Sequence, residues 1–168
     1  MRAMAQRWLD EDERALWMRM HAIGESLLSE IDSQLRRDAG LTRYEYYVLA
    51  MLSESPTRSR LMSDLAVATN GSLSRLSHAA AKLEANGWLT RSYATGQRRS
   101  TVATLTDEGW RKLSESAPGH VAAVRERLID RLTPEQVKAL YEALGPLFAD
   151  GWPRGGSGAV PPVSGRRT

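Results

Sequence analysis

The run from Arg60 to Thr106, RLMSDLAVATNGSLSRLSHAAAKLEANGWLTRSYATGQRRSTVATLT, admits few folds. It predicts a short helix, a tight turn, a longer helix and a two-stranded ribbon. The turn is Asn70-Gly71, where glycine tolerates positive φ at no steric cost. Ser72 is placed to cap the second helix, its hydroxyl accepting an otherwise unpaired backbone N–H. Leu73, Leu76, Ala80 and Leu83 then step by three, four and three, which makes one apolar stripe. Ser74, Arg75, Ser77, His78 and Lys82 are left on the other faces. Asn86-Gly87 stops the helix, glycine being the usual residue just past a C-terminus. Residues 89–93 and 100–105 are rich in Thr, Val and Tyr, and each run begins after turn residues. Between them the loop 94–99 carries Arg98 and Arg99.

Two helices across a tight turn are, taken alone, as readily an αα-hairpin with a solvated polar face. The adjoining ribbon favours a winged helix-turn-helix. The second helix of such a unit enters the DNA major groove with its leading residues against base edges and phosphates. Small hydroxyls at Ser72, Ser74 and Ser77 let the backbone come close, and Arg75 can reach a guanine or a phosphate. His78 has a phosphate or base contact as its functional option and a solvated position as its ordinary one. Arg60, Lys82 and Arg91 complete the candidate DNA-contacting set with Arg98 and Arg99. An arginine at the loop tip is suited to a minor groove, where negative potential is focused.

These residues resemble the MarR family of ligand-responsive transcriptional regulators. The matching features are Leu83-Glu84-x-x-Gly87-x-Leu89, then Arg91, the wing arginine, and Leu105-Thr106-x-x-Gly109. Arg99 falls at the family's wing arginine, six residues before Leu105, while Gln97 stands where the family commonly has Asp. That departure removes the usual Asp–Arg brace of the wing. The resemblance implies a mainly α fold with a small β-wing. It makes residues 10–150 one domain, with a winged unit at 42–105 flanked by dimerisation helices at 10–38 and 107–149. It also implies a homodimer on palindromic double-stranded DNA.

Charge is distributed as nucleic-acid binding requires. Residues 57–104 carry net +5, whereas residues 1–56 and 105–150 carry −3 and −2. Phosphate neutralisation supplies most non-specific affinity, so positive charge gathered on the winged unit is the expected footprint. There is no Cys, which excludes disulfides, thiolate metal sites and thiol redox sensing. No run approaches the roughly 18 apolar residues of a membrane span, and no signal-like N-terminus is visible. The expectation is a cytoplasmic protein with no membrane partner.

Outside the winged unit, residues 1–9 read as frayed. A long helix is expected from about Asp10 to Asp38, with Asp10 as cap and Glu11, Asp12 and Glu13 at the positive end of its dipole. Leu16, Met20, Ile23, Leu27, Ile31 and Leu35 form one stripe; Trp17, His21, Gly24 and Leu28 form a second beside it. So wide an apolar face suits burial against both its own subunit and a partner. Gly40 closes this helix. Thr42 and Glu45 make a capping box for the next, and Pro56 breaks the chain. Thr106 caps a helix that Pro118-Gly119 kinks or interrupts, and which resumes to Leu132. Thr133-Pro134-Glu135 starts the last helix. Residues 151–168, dense in Gly and Pro, read as disordered.

Trp17, His21, Arg43 and Tyr47 are the candidate ligand-binding residues: flat aromatic walls and one cation for an aromatic or anionic effector. Aromatic residues at helical spacing are also ordinary core residues, and both readings stand. His21 and His120 likewise have a hydrogen-bonded structural role beside a pH or ligand role. His21, His78 and His120 show no metal-ligand spacing, and no nucleophile elbow or phosphate loop is present. No enzyme, metal or cofactor is expected. The function implied is a DNA-binding regulator, expected to be a repressor, whose affinity falls on binding a small molecule. A winged-helix protein-interaction module and an effector-independent architectural DNA binder are the alternatives.

Overall fold

The computed structural model describes residues 7–94 and 97–148, with backbone only at 94 and 97–99. The expectations for residues 1–6 and for the 151–168 tail fall outside those limits. Six helices and a small sheet follow in the order α1 (Glu11–Ala39), α2 (Arg43–Ser53), β1 (Ser59–Leu61), α3 (Met62–Ala68), α4 (Leu73–Ala85), β2 (Leu89–Ala94), β3 (Gln97–Leu105), α5 (Asp107–Arg127) and α6 (Pro134–Leu144). Short 3-10 turns cover Ile129–Arg131 and Gly145–Phe148.

Local chemistry sets the helix ends. Asp10 Oδ1 accepts from Glu13 N at 2.9 Å, and Glu13 Oε2 accepts from Asp10 N at 3.1 Å, a reciprocal box. Thr42 and Glu45 repeat the arrangement for α2, with bonds of 3.1 and 2.8 Å. At the far end of α4, Gly87 at φ 73° lets its own N–H reach Glu84 O and the Trp88 N–H reach Leu83 O, both at 2.9 Å. Those paired bonds satisfy carbonyls the helix leaves open.

The core joins α1, α2, the sheet and the winged helices. Leu35, Leu41, Leu49, Leu52, Leu65, Leu76 and Leu83 are fully buried in it. α5 packs back against α1 and α2, with Leu113 in its first half and Ala123 in its second both buried. Only the C-terminal third of α1 is buried, at Ile31, Gln34 and Leu35. Leu16 and Ile23 from the expected stripe are 62% and 51% exposed. α6 buries no residue at all.

Three expectations are corrected. The sheet has three strands, not two: β1 pairs antiparallel with β3, in the order β1-β3-β2, with Arg60 opposite Ala103. Arg60 therefore lies in a strand, not a helix. β3 begins at Gln97, so Arg98 and Arg99 are strand rather than loop residues. Pro118 sits inside an unbroken α5, whose regular helix ends at Arg127 rather than Leu132.

His120 provides one pH-dependent element. Its ring lies 4.4 Å from that of Tyr46, and its buried Nδ1 has no partner among the described residues. Burial lowers its pKa below the ordinary 6.5. The unfolded chain thus binds the proton first as pH falls. Stability is full above the unfolded value and declines as pH drops from about 6.5 toward the folded pKa. Thermal melts between pH 7.5 and 5 should show a decline that His120→Phe makes shallower; parallel curves would refute this role.

Candidate nucleic-acid interface

α3 and α4 pack through Met62, Leu65 and Ala66 on one side and Leu76, Ala80 and Leu83 on the other. The turn between them corrects the reading of its glycine. Asn70, not Gly71, holds the left-handed backbone, at φ 49°. Gly71 is required for a different reason: a Cβ there would lie 2.2 Å from the Tyr44 hydroxyl. Tyr44, from the first turn of α2, fills the space beneath the turn and is 7% exposed.

Ser72 caps α4 as expected, accepting from Arg75 N at 3.1 Å. Ser74, Arg75 and His78 are exposed on the face of α4 away from the core, and Ser77 is half-buried. Leu73 leaves the stripe to which its spacing assigns it, being 54% exposed at the leading end of the helix. It borders a cleft of about 290 Å³ between α3, α4 and the wing, also lined by Leu61, Ser63, Ser77, Arg91 and Thr101. On the opposite flank of α4 a groove of about 380 Å³ gathers Arg36, Arg43, Arg75, His78 and Lys82.

The candidate cations differ in what holds them. Arg60 points back into the subunit, its Nε donating to Met51 O at 2.9 Å. Lys82 Nζ lies 2.9 Å from Oε1 of the buried Glu45. Arg91 donates to Glu84 Oε2 through Nε at 2.9 Å and Nη2 at 2.6 Å, while its backbone N–H reaches Glu84 Oε1 at 2.9 Å. Those bonds hold the Glu84 carboxyl below its ordinary range and tie α4 to β2. Arg75 alone among these four has no carboxylate or carbonyl partner among the described residues. Its guanidinium lies 4.1 Å above the Tyr44 ring instead. The side chains of Arg98 and Arg99 lie outside the described residues.

The ligand set is not brought together within one chain. Trp17 and His21 stack at 5.8 Å between ring centres on an exposed part of α1. Arg43 is anchored by its N–H to Asp32 Oδ1 at 2.7 Å. Asp32 lies roughly 22 Å farther along the helix than Trp17, at about 1.5 Å per residue. Tyr47 is 37% exposed, with its phenol pushed up by burial and by Glu54. Arg43 instead faces the groove beside the reading helix. A helix period shows which residues share a face, but not how far along that face a second helix crosses.

Sequence reasoning missed Tyr44, Glu45 and Glu84 as parts of the site. The signal for Glu84 was present in its spacing to Arg91, seven residues on. Nothing in the spacing connects Tyr44 to Gly71. Among the described residues no three His, Asp or Glu side chains could hold a metal ion, and no helix is long and apolar enough to cross a membrane.

A capped, polar-faced second helix beside a three-stranded wing defines a winged helix-turn-helix DNA-binding protein. The crystal structure of Sco3205, a MarR family transcriptional regulator from Streptomyces coelicolor, in complex with DNA, is similar at 44% identity and TM-score 0.80, over 84% of this chain and 88% of that one. AbsC, another MarR family regulator from Streptomyces coelicolor, is 37% identical with TM-score 0.78, over 84% and 95% of the two chains. The uncharacterised HTH-type transcriptional regulator YfiV of Bacillus subtilis is 29% identical over 140 residues, 81% of this chain and 82% of that protein. No family model matches. The chain belongs to the MarR family of DNA-binding transcriptional regulators, which are not enzymes.

Proposed function

We propose that the protein is a homodimeric repressor that places one α4 in each of two successive major grooves of a palindromic site. The observation that carries this reading is Arg75, exposed on the capped first turn of α4 with its N–H donors uncommitted among the described residues. Grooves one helical turn apart lie roughly 34–36 Å from centre to centre, which a two-fold dimer matches. Arg99 from each wing reaches the flanking minor groove.

Fluorescence anisotropy tests it, with duplex from the gene's own upstream region against a scrambled duplex, between roughly 50 and 200 mM salt. Preference by several orders of magnitude with steep salt dependence is the expected result. Equal, salt-sensitive affinity for both duplexes would indicate an architectural binder. No binding at any salt would indicate a protein-interaction module. Arg75→Ala should cost about 1–3 kcal/mol on the preferred duplex and relax base preference, the scale of one bidentate base contact. Arg99→Ala should weaken all sequences alike. Wild-type preference retained in Arg75→Ala would remove that residue from readout.

The dimer's affinity is lowered by a small aromatic or anionic molecule. Such a ligand acts only by binding better to a conformer whose helix spacing does not fit DNA. The exposed Trp17–His21 pair supplies a flat surface of the needed kind. The fold admits such regulation: DNA binding by BpsR of Bordetella bronchiseptica, 19% identical, is regulated by 6-hydroxynicotinic acid. Millimolar aromatic carboxylates added to the protein–DNA complex should release the duplex. A panel without effect would leave DNA binding standing and remove the effector.

A further inference from the structure

Four candidate DNA-contacting cations have described side chains, and three of them are held by an oxygen acceptor. Met51 O holds Arg60, Glu45 holds Lys82 and Glu84 holds Arg91. Each of these bonds takes up a donor and ties the cation to its own subunit. Arg75 is held in another way. Its guanidinium lies 4.1 Å from the centre of the Tyr44 ring, within reach of the ring's negative face. A guanidinium stacked on a ring keeps its five N–H donors in the plane of the fork, at the edge and pointing outward. The contact over the ring therefore holds the guanidinium without consuming a donor.

We propose that Tyr44 is the positioning residue that sets the base specificity of Arg75 by holding its guanidinium plane before DNA arrives. This rests on the DNA-reading function proposed above.

The ring that does the holding is itself fixed. The Tyr44 hydroxyl lies 3.0 Å from Thr69 Oγ1, and Thr69 gives its own proton to Leu65 O at 2.7 Å. Thr69 thus has only its lone pairs left for Tyr44, and the phenol must be the donor. Thr69 is 4% exposed, so the bond is shielded from water. On the ring's far end, Gly71 leaves room that any side chain would occupy, the Cβ position falling 2.2 Å from the hydroxyl and 2.9 Å from Cζ. Arg75 N is bound to Ser72 Oγ in the cap, which places the root of the side chain over the ring. The turn and Thr69 thereby fix the ring, the cap fixes the Arg75 backbone, and the ring holds the guanidinium. Binding then loses less rotamer freedom, and the planar fork meets a guanine edge in register rather than a phosphate at random.

The test uses the intact wild-type protein to select a consensus site from a random-sequence duplex pool. Anisotropy then measures Tyr44→Leu, Tyr44→Phe, Arg75→Ala and the Tyr44→Leu/Arg75→Ala double variant on that site and on its single-base substitutions. Tyr44→Leu should reduce discrimination at one base pair about tenfold, at the same position affected by Arg75→Ala. Tyr44→Phe, which keeps the ring, should restore it. In the Arg75→Ala background Tyr44→Leu should remove no further discrimination, whereas damage to the turn itself would remove it in both. Should Tyr44→Leu fail to fold, Tyr44→Met fills the same space with an unbranched chain and carries the comparison. Wild-type base preference in folded Tyr44→Leu, or an equal loss in both backgrounds, overturns the proposal. A wild-type protein that enriches no sequence overturns the DNA-reading function instead, and the two failures are distinct.

Discussion

Gly109→Ala is expected to destabilise the fold by about 2–3 kcal/mol, the upper end of the usual cost of overpacking. A Cβ at this position would lie 1.9 Å from the Trp88 carbonyl oxygen and 2.7 Å from Leu105 Cδ1. The first neighbour is backbone and cannot swing aside. It already accepts from Thr106 N at 3.2 Å, and Thr106 in turn caps α5 by accepting from Gly109 N at 3.0 Å. The same hydroxyl donates to Gly87 O at 2.7 Å, which joins the end of α4 to the start of α5. Relief would require the first turn of α5 to withdraw by roughly 1 Å or more, against these three bonds. The helix-propensity gain of Ala over Gly, up to about 1 kcal/mol, opposes the loss without cancelling it. Urea melts should show the midpoint falling by on the order of 1 M with an unchanged slope. A variant as stable as wild type would mean that α5 does not abut Trp88.

The same contact explains why Leu105-Thr106-x-x-Gly109 is legible in the sequence. Leu105 fills the core, Thr106 caps a helix, and Gly109 admits a carbonyl, so each position has its own demand on residue type. Caps and stops are readable for the same reason, since Ser72, Thr42, Thr133 and Gly87 act within a few residues of themselves. Contacts between distant segments are not. The dipeptide Asn70-Gly71 suggests a glycine kept for its φ, but the positive φ belongs to Asn70 and the glycine serves a tyrosine 27 positions earlier. Leu73 obeys the helix period yet lies on the turn's outer side, because a stripe ends where the neighbouring element ends. β1 escapes notice because three residues offer no alternation to count. Charge and motif position place Arg91 among the DNA contacts, although Glu84 takes two of its side-chain donors and ties it to α4. Composition locates a basic surface; only geometry shows which cations remain available to DNA.

Leu16→Asp combined with Ile23→Asp should convert the proposed dimer to a monomer and weaken binding to its preferred duplex by about 10²- to 10⁴-fold. That is the range lost when two linked modules no longer act together. The two residues are seven apart on α1 and are 62% and 51% exposed in the isolated chain. Trp17, Met20 and Leu28 are exposed on the same helix, as are Leu140 and Tyr141 on α6, so both helices carry large apolar side chains left uncovered by the described residues. Surfaces of that kind mark protein–protein contact. Since neither side chain enters the subunit core, carboxylates there cost the monomer little. In a two-fold interface each substitution is met twice, and up to four unpaired carboxylates would be desolvated together. Light scattering should therefore fall from about twice the 18.7 kDa chain mass to once, with the helical circular dichroism kept. The salt slope should fall to roughly half as one half-site's phosphates are lost. A variant that stays dimeric would move the interface off this face of α1. A folded monomer with wild-type affinity would show that a single α4 and wing suffice, and the palindromic geometry would then have to be abandoned.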